Sequence, residues 1–129
     1  MFEVELRGAV ITDIESLYDE LNRGFMQHED WQLGQSLDAL DDLLYGGIGD
    51  AVGHDRIRVT WRDHERSRAR LGAETTASWY EAKLARPGAF NVDKITRDLA
   101  ALRETGGPTY FDLVLEVFAG HDNVELVLA

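Results

Sequence analysis

Hydrophobic positions in this chain follow two periods. Phe2, Val4 and Leu6 alternate with Glu3 and Glu5, which predicts a half-buried strand over 2–6. Ile57, Val59 and Trp61 alternate with Arg56, Arg58 and Thr60, predicting a second strand over 56–61, and Val124 to Leu128 reads as a third. Between them the period lengthens. Ile14, Leu17, Tyr18 and Leu21 fall at helical spacing. Thr12 and Glu15 form the expected capping box, and Gly24 is the expected stop, giving a helix over 13–23. Residues 25–34 read as a loop carrying Phe25, Met26 and Trp31. A second helix is predicted from Ser36, a plausible N-cap, to Tyr45. Others follow over 62–71, 77–85 and 92–104, the last capped by Asn91. Arg86-Pro87-Gly88 and Gly106-Gly107-Pro108 are breaks. Phe111 to Phe118 fits either a strand or a helix by periodicity. A helix over 109–119 is expected there, because strands separated by helices imply parallel pairing and a parallel crossover needs one. The predicted fold class is thus α/β, with a three-stranded parallel sheet made by about 2–6, 56–61 and 123–128.

The second helix has two unlike faces. At 100° per residue, Leu33, Leu37, Leu40, Leu43 and Leu44 gather on one side and Asp38, Asp41, Asp42 and Tyr45 on the other. Asp38 and Asp42 stand one turn apart, where like charges destabilise a helix by roughly 0.2–0.5 kcal/mol. Asp41 and Asp42 lie beyond the first turn, where the helix dipole favours carboxylates, and no Lys or Arg at i±3 or i±4 offsets them. Such a face is either merely solvated or kept negative for a cationic partner.

Charge sharpens the second alternative. The chain has 129 residues, 44% of them hydrophobic, with a formal net charge of −11, so nucleic acid is not an expected partner. No Lys or Arg occurs between Arg23 and Arg56, an interval holding Glu29, Asp30, Asp38, Asp41, Asp42, Asp50 and Asp55. Arg56, Arg58, Arg62, Arg66, Arg68 and Arg70 follow at once. That basic segment is expected to be neutralised by nearby acids.

Other chemistries find little support. There is no cysteine, which excludes disulfides and thiolate sites. His28, Asp30, Asp38, Asp42, His54 and His64 offer metal-ligand atoms, but no H-E-x-x-H or EF-hand spacing joins them. His28, His54, His64 and His121 are expected on the surface. No nucleophile elbow surrounds a serine. Gly46-Gly47-Ile48-Gly49 follows a helix and lacks a lysine, unlike a phosphate-binding loop. The expectation is therefore no catalytic residues, no metal and no cofactor. The N-terminal residues do not read as a signal peptide and no stretch approaches the roughly 18 apolar residues of a membrane span, so a cytoplasmic protein without membrane contact is expected.

The stretch Gly34-Gln35-Ser36-Leu37-Asp38-Ala39-Leu40-Asp41-Asp42-Leu43-Leu44 resembles the signature of the barstar family, a glycine followed by an N-L-D-A-L-x-D helix. The strand ending in Trp61-Arg62, the following helix with Glu65 and Ser67, and the terminal Val124-Glu125-Leu126-Val127-Leu128 resemble that family too. The resemblance covers about 2–71 and 109–129. It implies one barstar-like domain over 1–129, with 72–108 as a helical insertion lying away from the Asp38/Asp42 face. It implies inhibition of a secreted-type ribonuclease or nuclease toxin, whose basic active site an acidic helix and its preceding loop would block. A monomer when free is expected. By position, Asp38 and Asp42 match the two key helix carboxylates, and Ser36, Asp41, Tyr45, Gly46 and Trp31 complete the implied partner-binding set. An outlying acid such as Asp50 is expected only to steer encounter. Ser36 replaces the motif's asparagine, Asp41 and Gly47 stand where the family has tryptophans, and the family's distal glutamate has no match near Gly120. These departures tell against barnase itself as the target. The alternative is a module of the same fold that binds another basic protein.

Overall fold

The computed structural model of the chain describes residues 1–86 and 88–129. Three strands, β1 (Phe2–Arg7), β2 (Ile57–Arg62) and β3 (Val124–Leu128), form one parallel sheet in the order β1-β2-β3. Six helices intervene: α1 (Ile14–Phe25), α2 (Leu37–Leu44), α3 (His64–Arg70), α4 (Ala73–Leu84), α5 (Val92–Thr105) and α6 (Tyr110–Ala119). The α/β class and the three parallel strands are those the pattern predicts. The predicted break at Arg86-Pro87-Gly88 falls in part on Pro87, outside the described residues; α4 ends before it.

Alternation along each strand sorts the sheet into two faces. Leu6, Ile57, Val59 and Trp61 are buried and, with Phe2, Val4, Val124 and Leu126, face the helices. The opposite face is polar and open to solvent. The register sets Glu3, Arg58 and Glu125 in one row across the three strands. Arg58 bridges both acids, Nη1 to Glu3 at 2.9 Å and Nε to Glu125 at 2.7 Å, and Arg62 reaches Glu5 at 3.4 Å. Parallel sheets are usually covered on both faces; here a row of ion pairs faces water instead. Arg58, Arg62 and also Arg68, which pairs with Glu65, are matched with acids, while Arg56, Arg66 and Arg70 form no ion pair among the described residues, so the expected neutralisation of the basic segment is met only in part.

Trp61 lies fully buried at the core's centre, its ring centroid 5.2 Å from that of Phe111. Its indole Nε1–H donates to Ser67 Oγ at 3.0 Å, and that hydroxyl donates to the Gly8 carbonyl at 3.1 Å. The tryptophan is thus buried with its polar atom satisfied, the condition for placing it there at all.

Three local expectations need correction. The α1 cap is Asp13 with Ser16, not Thr12 with Glu15: Asp13 Oδ1 accepts from the Ser16 amide at 2.7 Å, and Ser16 Oγ accepts from the Asp13 and Thr12 amides at 3.0 and 2.8 Å. Gly24 does not end α1. A Cβ there would come within 2.6 Å of Val4 Cγ2, so the glycine lets the last turn lie close against β1. His121 is not on the surface but 6% exposed; His64 is half-buried, while His28 and His54 are exposed.

Residues 110–119 are helical as expected, and a local signal explains it. Thr109 Oγ1 accepts from the Asp112 amide at 3.3 Å while the Asp112 carboxylate accepts from the Thr109 amide at 3.0 Å, a reciprocal cap. Thr109→Ala is expected to lower stability by about 1 kcal/mol, read as a small downward shift of the thermal midpoint.

Candidate functional site

The acidic face belongs to α2. Ser36 caps the helix, its Oγ accepting from the Ala39 amide at 3.0 Å. Leu40, Leu43 and Leu44 are fully buried and press α2 onto α6. The periodicity therefore leaves Asp38 and Asp42 exposed on the outer side. Among the described residues neither forms an ion pair. Tyr45, 69% exposed, follows at the C-terminus. Gly46 then turns the chain with φ of +83°, a conformation that favours glycine whatever the space around it.

Asp41 differs from its two neighbours. Its Oδ1 is 2.7 Å from His121 Nε2, and the Tyr45 ring meets the His121 ring edge-on at 4.6 Å between centroids. Next to His121, Asn123 Nδ2 donates to the Leu44 carbonyl at 3.0 Å, which satisfies one of the carbonyls a helix end leaves open. The turn between α6 and β3 thus holds α2 from behind. Sequence reading missed both residues. The parallel register supplies the signal in hindsight: Ile57 donates to the Asn123 carbonyl at 2.9 Å, so the turn before β3 must lie beside the connection that leaves α2. His121→Ala is expected to remove Asp41's partner and open a void beneath the helix. Amides of residues 43–46 should then exchange faster by hydrogen exchange, beyond any change in global stability.

Of the other implied residues, Trp31 is 44% exposed in the loop between α1 and α2. No hydrogen bond or ring contact joins it to α2 among the described residues. The loop is pinned near its end, where the Leu33 amide donates to Asn22 Oδ1 at 2.7 Å. Asp50 is not an open surface acid. Its oxygens accept from the Gln27 and His28 amides at 3.0 and 3.1 Å and its side chain is only 10% exposed, so it shapes the loop after α1.

The segment 72–108 forms α4 and α5, which enclose a small cluster of Tyr80, Ile95, Leu99 and Leu102. It does not lie away from the acidic face. Trp79 packs on both this cluster and the main core, with its ring 4.9 Å from that of Tyr110. Thr76 Oγ1 accepts from the Tyr110 amide at 2.7 Å. These contacts seat α4 beside the start of α2 and leave a cleft of about 600 Å³, lined by Ser36, Leu37 and Asp38 on one side and by Trp79, Lys83, Arg86 and Phe90 on the other. The sequence predicts a helix over 77–85 but not what it packs against.

Among the described residues, no group of three or more His, Asp or Glu is arranged to hold a metal ion, and no helix is long and apolar enough to cross a membrane. Comparison with curated proteins gives no match. The family model Barstar (barnase inhibitor) matches residues 1–84, a span that takes in β1, the whole of α2, β2 and α4. The match holds two of the three parallel strands and the capped acidic helix, and the chain belongs to the barstar family, whose members inhibit barnase-type ribonucleases.

Proposed function

We propose that this protein is a stoichiometric inhibitor of a microbial ribonuclease and blocks the enzyme's basic active site with the exposed face of α2. A ribonuclease must hold RNA phosphates with cationic side chains, so carboxylates presented together compete for the same groove. The observation that carries the reading is Asp38 and Asp42, one turn apart and exposed, on a helix whose other side buries Leu40, Leu43 and Leu44. Their mutual repulsion weakens the helix in isolation, and a rigid mounting lets the fold tolerate it. Ser36, Asp41, Tyr45, Gly46 and Trp31 complete the surface in this proposal. The whole chain acts as one domain, in the cytoplasm and as a monomer when free, without catalysis of its own.

The test is titration of purified protein against a panel of barnase-type ribonucleases, with RNA cleavage as readout. Inhibition of at least one enzyme at a one-to-one ratio is expected. No inhibition of any panel member by folded protein would overturn the reading, as would RNA cleavage by the protein itself that disappears in Asp38→Ala.

A further inference from the structure

The cleft beside Asp38 has the wrong sign for an inhibitor that works by acids alone. Lys83 Nζ stands 3.9 Å from the Trp79 ring centroid and 5.2 Å from that of Phe90, and the Arg86 guanidinium is 6.0 Å from the Phe90 ring. Of the other cations of this region, Lys94 is matched with Asp98 and Arg103 with Glu81, while exposed Arg97 has no ion pair among the described residues. Lys83 and Arg86 rest on aromatic faces instead and have no ion pair among the described residues. Burial pushes the Lys83 ammonium below its usual range, Lys94 adds to this, and Asp38 opposes it. A further carboxylate would therefore be favoured at this ammonium.

We propose that the cleft between α2 and α4 receives a loop of the bound ribonuclease that carries a carboxylate, which Lys83 and Arg86 grip while Asp38 and Asp42 hold the enzyme's cations. The inference rests on the inhibitor reading above. Its geometry follows from Asp38, which belongs both to the acidic face and to the cleft wall, so a protein covering that face overhangs the cleft. The lining suits such a loop. Leu37, Trp79, Ala82 and Phe90 offer apolar surface, Gln35 and Ser36 offer hydrogen bonds, and the two cations await a negative group. A nucleic acid is disfavoured, because Asp38 in the cleft wall and Asp42 one turn further along α2 repel a phosphate backbone. Two such pairings of opposite sense would also reject nucleases that lack the acidic loop, since the cations would then be covered without a partner.

The sign of one experiment decides. Adding negative charge to this inhibitor strengthens its general attraction for a basic enzyme and speeds association. The double reversal Lys83→Glu/Arg86→Glu should therefore tighten binding if the cleft is merely near the interface. If the cleft grips a carboxylate, the same change weakens it. With a panel ribonuclease that wild type inhibits, the dissociation constant is expected to rise at least about tenfold, through faster release. Phe90→Ala should weaken binding in the same direction. Lys83→Gln, which keeps the stem over Trp79, serves if the double variant melts early, and should cost severalfold. Unchanged or tighter binding of the charge variants, with Asp42→Ala still damaging, would overturn the cleft proposal and leave the inhibitor reading standing. If wild type inhibits no ribonuclease, both fall together. Capture of inorganic phosphate by the cleft, with nuclease binding indifferent to Lys83→Glu/Arg86→Glu, would likewise overturn it in favour of a small-anion site.

Discussion

Asp42→Ala is expected to raise the dissociation constant for the target ribonuclease at least about a hundredfold, mainly by faster release. The residue is exposed and, among the described residues, has no ion-pair partner, so its charge is spent on nothing within the fold. In the complex it would face buried Arg or Lys side chains. Truncating one member of such a pair leaves the other desolvated and alone, which costs about 2–5 kcal/mol, a range drawn in part from the barnase–barstar pair itself. Alanine in mid-helix also relieves repulsion from Asp38 and is a better helix former. The free variant should melt no lower than wild type. Asp50, tied to two amides, cannot serve as the control; exposed Asp55 can. Asp55→Ala should slow association slightly and only at low salt. Binding kinetics with thermal melts make the comparison. Equal and small effects from both substitutions would remove α2 as the anchor.

The largest effect on stability is expected at Glu20. Its carboxylate is 2% exposed and accepts from the Arg7 amide at 2.7 Å, from Arg7 Nη2 at 2.8 Å, and from Arg23 Nε and Nη2 at 2.9 Å each. Burial by itself would raise the carboxyl's pKa. The hydrogen bonds from Arg7 and Arg23 outweigh it and hold the group at about 2. Removing one partner of a buried ion pair costs about 3–5 kcal/mol. Because Arg7 and Arg23 stay 54% and 36% exposed, they remain partly hydrated, and Glu20→Gln belongs at the low end, about 3 kcal/mol. That corresponds to a thermal midpoint lower by about 10 °C for a chain of this size. The folded pKa is depressed, so the stabilisation is complete above the unfolded value of 4.5. It fades as pH falls from there towards 2. Denaturant melts of wild type and Glu20→Gln should differ by a constant amount above pH 4.5 and converge near pH 2. A gap that stays the same through that range would show that Glu20 is not held ionised by its arginines.

Local patterns made most of the frame legible. Alternation located all three strands within a residue or two, since a sheet with one buried face must alternate. The acidic face of α2 was legible for a similar reason: a helix of eight residues with buried Leu40, Leu43 and Leu44 leaves its aspartates nowhere to go but outward. What stayed hidden depends on long-range contact. Nothing near Asp41 announces His121, and Asp50 looks like any other acid until the Gln27 and His28 amides are found against it. Glu20 sits one residue before Leu21 on an amphipathic helix, and only the approach of Arg7 from β1 makes its burial possible. Trp79 shows the same limit from the apolar side. Its size suggests packing, but only its ring contact with Tyr110 brings α4 beside the cleft that Leu37 and Asp38 line.

The hold on α2 also sets an order of events during synthesis. His121 and Asn123 lie 80 and 79 residues beyond their partners on α2. At about 5–20 residues per second, a ribosome needs roughly 4–16 s to travel that distance. For that interval the emerged helix carries its aspartates without the turn that fixes its back, and contacts of such sequence separation close late in folding. Competence to bind therefore arrives as a step, when the third strand docks, and does not grow with chain length. A partly made chain therefore gives a cell no partial protection, even after the whole of α2 has emerged.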